Sequence, residues 1–205
     1  MAASGTLYVI AAPSGAGKTT LVNTLLKEDS NLKISVSYTT RQRTALEEDG
    51  KDYFFVTELA FQDMLDNRMF LEHANVFGHW YGTGKKWVEE QLELGFDVIL
   101  EIDWQGAQIV RKQIESCVSL MILPPSKEEL VERIRERSRD SEEVISTRLT
   151  KMSEEVSHYN EFDYIVVNDD FNEAIDDIQA IIRAKRKTLT YQEEELSEVL
   201  DDLLE

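Results

Sequence analysis

One stretch constrains the chain more than any other: Ala12-Pro13-Ser14-Gly15-Ala16-Gly17-Lys18-Thr19-Thr20. An apolar run, Leu7-Tyr8-Val9-Ile10-Ala11, precedes it, and Leu21, Val22, Leu25 and Leu26 follow with the spacing of one helix face. Strand, glycine loop and helix in that order form the context in which such a loop cradles phosphate. Gly15 and Gly17 let successive backbone N–H groups curl into a nest with no Cβ in the way. The helix that follows aims its positive dipole end into the same nest. Lys18 adds a point charge for the β and γ phosphates of a nucleotide, and the Thr19 hydroxyl is a candidate ligand for Mg²⁺. Ala12 occupies the position of the motif's first glycine, so the match rests on Gly15, Gly17, Lys18 and Thr19.

A chain of 205 residues with 42% hydrophobic residues suits one α/β domain with a small insert. No apolar run has the length of a membrane span, and the first residues lack a charged leader region, which together give a cytoplasmic expectation. Cys117 is the only cysteine, so no intrachain disulfide forms. The three histidines, His73, His79 and His158, are isolated from one another, and no zinc spacing occurs. A net charge of −18 argues against nucleic acid and anionic membranes as partners. A phosphate site in so acidic a chain requires its cations to be concentrated there.

Taken in order, Lys33 to Tyr38 alternates like a strand, and Tyr53-Phe54-Phe55-Val56 reads as another. Between them lie Thr39-Thr40-Arg41-Gln42-Arg43-Thr44 and the acidic turn Glu47-Glu48-Asp49-Gly50. Thr57 is an N-cap candidate. Phe70 to Phe77 and Trp80 to Thr83 read as strands joined by a turn at Gly78-His79. The pattern is that of a mixed insert in an otherwise alternating chain. Alternation resumes with strands at Asp97–Asp103, Val118–Leu123 and Tyr164–Val167, each followed by a helical pattern. Ser126 with Glu129 predicts a capping box. The fold class is therefore α/β, a parallel sheet with helices on both faces, an α+β insert and a helical segment after Ser126. The division is core 1–36 with the loop at 12–19, insert 37–96, core 97–126, lid 127–150, core 151–190 and an acidic tail helix 191–205. In the tail, Leu196, Val199, Leu200, Leu203 and Leu204 keep helical spacing among seven acidic residues. Two readings of that stripe stand: a helix laid on its own body, or a subunit contact in a homo-oligomer.

Three clusters carry further chemistry. Ser37, Arg41, Arg43, Tyr53, Glu72, Tyr81 and Thr83 all fall in the insert. Arginine binds phosphate through forked hydrogen bonds, and tyrosine hydroxyls complete such a shell. Glu72 interrupts an apolar strand; its two oxygens match the adjacent N1–H and N2–H donors of guanine, which adenine lacks. Arg133 and Arg137 share a helix face, and with Arg148 they are candidates for neutralising a migrating phosphoryl group. Arg135 and Arg139 read as solvated partners of neighbouring acids. Glu101 and Asp103 alternate at a strand end and so face the same way, as candidates for the Mg²⁺ shell or an acceptor nucleotide.

The runs Ser35-Val36-Ser37-Tyr38-Thr39-Thr40-Arg41, Gly50 to Val56, Phe70-Leu71-Glu72-His73-Ala74, Tyr81-Gly82-Thr83, Glu101-Ile102-Asp103-Trp104-Gln105-Gly106, Ile122 to Ser126 and Ile165 to Asp170 together resemble bacterial guanylate kinases. The resemblance spans nearly the whole chain with matching spacings. It implies transfer from ATP to GMP, and to dGMP, with Mg²⁺, within purine nucleotide metabolism. It implies that Arg41, Tyr53 and Tyr81 hold the GMP phosphate. Ser37, Glu72 and Thr83 would read the base with Asp103 close by, and Asn168 would lie near the adenine. Lys18, Arg133, Arg137 and Arg148 would surround the transferring group.

The family's usual Thr-Thr-Arg-x-Pro-Arg is Thr-Thr-Arg-Gln-Arg-Thr here, so the second arginine stands at 43 instead of 44. A one-residue shift in an extended loop reverses the side-chain direction. Glu101 stands where aspartate is commoner, and Ser138 where a glycine is usual. Two other function classes share this framework: a scaffold module without catalysis, and a phosphotransferase for a base-free acceptor. The intact phosphate loop speaks against the first, and Glu72 with Thr83 against the second.

Overall fold

The computed structural model describes residues 4–76, 78–137, 150 and 152–205. Its core is a five-stranded parallel sheet in the order β2 (Leu32–Ile34), β7 (Asp97–Glu101), β1 (Leu7–Ala11), β8 (Val118–Leu123), β9 (Tyr164–Val167). β1 is central, and all five of its residues are buried. A strand buried on both faces must be apolar throughout, which is why it reads as a continuous run and not an alternation. One face packs on α1 (Lys18–Glu28) and α7 (Phe171–Lys185) through Leu21, Val22, Leu25, Ile175, Ile178 and Ile182. The other meets α3 (Lys85–Glu93) and α4 (Trp104–Gln113) through Val88, Ala107 and Val110.

The insert is a second, four-stranded sheet in the order β4 (Phe54–Phe55), β3 (Tyr38–Thr39), β6 (His79–Gly84), β5 (Phe70–Val76), with α2 (Glu58–Asp66) before β5. The expected single strand over Lys33 to Tyr38 is two strands in two different sheets. Ser35 N–H still bonds the core at Ile99, whereas Phe54 N–H bonds Ser37 in the insert, so the chain crosses over at Val36. Alternation alone cannot register a change of partner, because both sheets bury one side of the same extended segment.

Thr57 caps α2, accepting from the Ala60 N–H at 3.2 Å, as its position predicts. The capping box at Ser126 forms by half. Ser126 Oγ accepts from Glu129 N–H at 3.1 Å at the start of α5 (Lys127–Arg137), but the Glu129 carboxylate turns to Arg133 Nε at 2.9 Å. The charged partner one turn ahead wins over a neutral amide. Downstream of α5, residues 152–157 are helical and belong to α6.

The single tail helix expected from 191 onward is two helices, α8 (Leu189–Glu195) and α9 (Ser197–Leu204), joined at Leu196. The stripe is covered only in part: Leu196 and Leu200 are 38% exposed, Val199 54%, Leu203 75% and Leu204 84%. The tail is tied to the body by Gln192 Nε2 donating to the Arg186 carbonyl at 2.9 Å.

Candidate active site

The carboxyl ends of β1 and β7 open into a cavity of about 340 Å³ between core and insert. The glycine loop forms one wall. Gly15 and Gly17 take the left-handed conformation, with φ of 94° and 91°. A Cβ at Gly17 would stand 2.4 Å from the Asn168 amide nitrogen, so both backbone angle and space demand glycine there. Asn168 donates from that nitrogen to the Ala16 carbonyl at 2.8 Å, and its own carbonyl accepts from Arg133 Nη1 at 3.0 Å. Asn168 is thus a buried strut beneath the loop, linking it to the turn after β9 and to α5. Leu130 and Ile134, both buried, pack α5 against Gly15. The loop is therefore braced from below by side chains 115 or more positions away in sequence; nothing local announces them.

Lys18 opens α1 and donates to the Ile102 carbonyl at 3.1 Å. Burial pushes its ammonium below the usual lysine value, against the opposing pull of Glu101, then Asp103, then Glu155. An ammonium so placed is short of water, and a polyanion brought to it restores the charged form. Thr19 donates its hydroxyl to a Glu101 carboxylate oxygen in a short hydrogen bond. The two residues expected around Mg²⁺ are thus brought together. Among the described residues no group of three or more His, Cys, Asp or Glu forms a metal cluster.

The opposite wall belongs to the insert. Ser37, Tyr53, Glu72 and Tyr81 line it, with Ala74 and Val76 as apolar surface and Asp103 at the floor. Glu72 and Thr83 are cross-strand neighbours on β5 and β6, and the Thr83 hydroxyl donates to Glu72 Oε1 at 2.6 Å. Glu72 is only 4% exposed, and among the described residues no cation contributes to its environment. Burial, with the Asp103 charge adding, pushes its carboxyl up to about 7; Thr83 pulls the other way. A Cβ at Gly106 would stand 2.7 Å from Glu72 Oε2, so this glycine at the start of α4 makes room for the carboxylate. Asp103 caps the same helix, accepting from the Gly106 N–H at 2.9 Å. Tyr53 and Tyr81 meet edge-on at 5.8 Å, and burial raises the Tyr53 hydroxyl to about 12.

Of the arginines, Arg41 stands beside Tyr53 and Tyr81, in a two-bond contact with Glu47. Arg43 is exposed and does not line the cavity. Arg133 is folded onto Glu129 and Asn168 outside the cavity. The side chain of Arg137 and all of Arg148 lie outside the described residues. Glu47, Thr44 and Glu155 are absent from the sequence-derived site. The only sequence signal for Glu47 was its membership of an acidic turn, which gave no reason to prefer it over Glu48 or Asp49.

Parallel sheet, glycine loop and one cavity shared between that loop and the insert define a phosphate-loop protein with room for a further ligand opposite the loop. The guanylate kinase family model matches residues 4–185. A guanylate kinase of Photorhabdus laumondii is 53% identical over 184 residues, 89% of each chain. One of Alkalilimnicola ehrlichii is 52% identical over 200 residues, 98% of each. The crystal structure of guanylate kinase from Anaplasma phagocytophilum superposes with a TM-score of 0.78 at 36% identity, over 93% of this chain and 90% of that one. The chain belongs to the guanylate kinase family.

Proposed function

We propose that this chain transfers the γ-phosphoryl group of ATP to GMP, giving ADP and GDP, with dGMP as a second acceptor. The observation that carries the reading is the buried Glu72–Thr83 pair facing the phosphate loop across one cleft. A carboxylate accepting from guanine N1–H and N2–H replaces the water it lacks, and no base-free acceptor would repay its burial. Ala74 and Val76 supply apolar surface for the purine ring, and Ser37 a hydroxyl for its edge. Arg41, Tyr53 and Tyr81 hold the acceptor phosphate, so the attacking oxygen is placed toward the loop.

On the donor side the residues from Ala12 to Thr20 wrap the triphosphate. Loop amides and Lys18 hold the β and γ groups, so the transfer runs on positioning and charge neutralisation. Thr19 and Glu101 present a hydroxyl and a carboxylate, a donor set that fits Mg²⁺. When bound there, the ion would screen the phosphate charges that meet at the transferring group. Arg133, Arg137 and Arg148 are assigned to the same task from the segment 127–150, with Asn168 near the adenine. Arg133 reaches it by exchanging Glu129 for phosphate. Asn168 serves the donor site indirectly, by holding the loop. The division into core, insert and lid follows the same reading. No described helix is long and apolar enough to cross a membrane.

The test is a coupled ADP-release assay across GMP, dGMP, AMP and UMP. Turnover with the two guanine nucleotides alone supports the reading. Equal turnover with AMP would remove Glu72 as the base reader.

A further inference from the structure

The insert sheet has two faces, and only one of them belongs to the cleft. Ser37 and Tyr53 line the acceptor side; the next residues, Tyr38 and Phe54, line a second cavity behind the sheet, as successive residues of an extended chain must face opposite ways. This rear cavity has a volume of about 640 Å³. The Tyr38 and Phe54 rings stack in it at 4.8 Å, and Met64 and Met69 add adaptable apolar surface. The core supplies the other side with Ile34, Ser35 and the Trp87 ring in the first turn of α3. Both connections between core and insert, at Val36 and at Gly84 with Lys85, run along it. Phe54, Met69 and Trp87 keep 37%, 49% and 39% of their surface exposed, so the rings of this cavity are open to a ligand.

Its charge is as particular as its shape. Lys85 and Lys86 stand in the first turn of α3, with no acid in that turn and no side chain capping it. The helix dipole is already positive at that end, so two cations there oppose it. The chain as a whole carries a net charge of −18. Glu89 and Glu90 also line the cavity, and each lysine meets one of them at 3.7 Å in a solvent-exposed pair, which holds little energy. Arg68, in the turn after α2, is the third cation on the wall. It is the one non-glycine residue with a positive φ, 53°, among the described residues, a conformation that glycine adopts more readily. Its guanidinium forms no ion pair among the described residues.

Aromatic and sulfur-bearing walls select a flat ring, and three cations beside a helix end select a negative group on it. We propose that the rear cavity is a second ligand site, separate from the nucleotide cleft, for a small planar aromatic anion: one or two rings carrying a carboxylate, sulfonate or phosphate. The ring lies between the Tyr38–Phe54 stack and Trp87, and the anion meets Arg68, Lys85 and the open amides of α3. The volume suits a molecule of that size. An occupant touches core and insert at once and presses on segments whose neighbouring residues line the acceptor side. Any effect it has on acceptor binding is reciprocal.

The probe is anilinonaphthalene sulfonate, a ringed aromatic sulfonate whose fluorescence rises when it leaves water. It would be titrated into the full chain, as wild type, Arg68→Gly, Trp87→Ala and Leu203→Asp, with calorimetry for stoichiometry. Arg68→Gly removes the cation and relaxes the backbone, so its melting point should not fall. The proposal predicts one site with a dissociation constant below about 1 mM. Affinity should fall roughly fivefold or more in Arg68→Gly and roughly tenfold in Trp87→Ala. It should stay level in Leu203→Asp, which alters only the exposed tail stripe. GMP and ATP then locate the site. A probe affinity that reaches a plateau as either nucleotide rises puts it outside the cleft; one that falls in proportion, without limit, puts it inside and overturns the proposal. Equal affinity in the wild type and Arg68→Gly, or a loss in Leu203→Asp, overturns it as well. Should Trp87→Ala not fold, Lys85→Gln decides in its place. None of these readouts needs turnover, so they stand whichever acceptor the cleft takes.

Discussion

On the loop side of the cleft, the candidate anion site is built mainly from backbone. Two left-handed glycines, a helix end and one lysine make it up, and the parts are contiguous in sequence from Ala12 to Thr20. On the insert side, the candidate site is made of side chains from two strands and two loops: Ser37, Tyr53, Glu72 and Tyr81 on the cavity wall, with Arg41 against the Tyr53 ring and Thr83 bonded to Glu72. Backbone amides do not titrate and need no partner to hold their direction. Carboxylates and guanidiniums do, so each on the insert side has a second residue attached: Thr83 on Glu72, Glu47 on Arg41. A triphosphate is the same in every donor, whereas the acceptor must be told from others of its class. Backbone suits the first task and side chains the second.

The comparison breaks most visibly at Lys18, the one side chain on which the loop's charge depends. Lys18→Ala should lower turnover by roughly three orders of magnitude or more, since it removes a preorganised cation from a water-poor site. The coupled ADP-release assay reads it directly. Retention of more than a tenth of wild-type kcat/KM would mean that the amides suffice and that Lys18 is structural, through its bond to Ile102.

Glu72→Gln tests the other side. The amide keeps the size and one acceptor, but presents a donor to guanine's donors. GMP kcat/KM should fall by roughly two orders of magnitude, while ATP affinity, measured by calorimetry, stays put. The free protein should respond in the opposite direction. A carboxyl raised to about 7 holds its proton more tightly folded than unfolded. Its burial cost is absent at low pH, grows as pH rises from about 4.5 to 7, and is complete above that. At pH 8 the glutamine variant should therefore melt higher than the wild type. At pH 4 the gap should close. A lower melting point at pH 8 would show that Glu72 is a stabilising residue and not a strained one.

The two sides also differ in how far the sequence reveals them. The loop was legible because each part lies beside the next and local rules give its conformation. The pairing of Glu72 with Thr83 was legible only through the family pattern; eleven positions apart, they meet because β5 and β6 form a hairpin. Glu47 was not legible, since its contacts depend on a turn that returns it to Arg41 and on the Thr44 backbone N–H, which no side-chain pattern encodes. The brace under the loop escaped for the same reason. Leu130 and Ile134 carried no signal in the sequence, and Asn168 entered only as a residue near the adenine; the fold sets β9 beside β8 and packs α5 against Gly15. The tail shows a different limit. Its stripe has true helical spacing, yet spacing says which residues share a face and not whether anything meets that face.

A pH profile sharpens the contrast without any substitution. If guanine needs the ionised carboxylate, the free protein must release a proton from Glu72 to bind GMP. With the carboxyl at about 7, the GMP KM should rise roughly tenfold between pH 8 and pH 6. The ATP KM should change far less over this range, because Glu72 lies across the cleft from the loop that holds the triphosphate. Glu72→Gln should flatten the GMP profile. A profile that survives the substitution would assign the titration to the GMP phosphate, whose second ionisation falls in the same region.

The smallest effect belongs to Arg43, and it is the one on which sequence and structure disagree most. Chain position puts a second cation beside Arg41, and a phosphate subsite with two arginines would lose roughly tenfold on removal of either. The side chain is instead exposed on the loop and outside the cavity, where solvent and salt screen it. Arg43→Ala should therefore change the GMP KM by less than about threefold, and what change there is should shrink as ionic strength rises from about 0.05 to 0.5 M. Arg41→Ala in the same buffers should retain most of its loss at high salt, because its fork is shielded by Tyr53, Phe55 and Tyr81. A salt-resistant tenfold loss for Arg43→Ala would mean that the loop rearranges on binding.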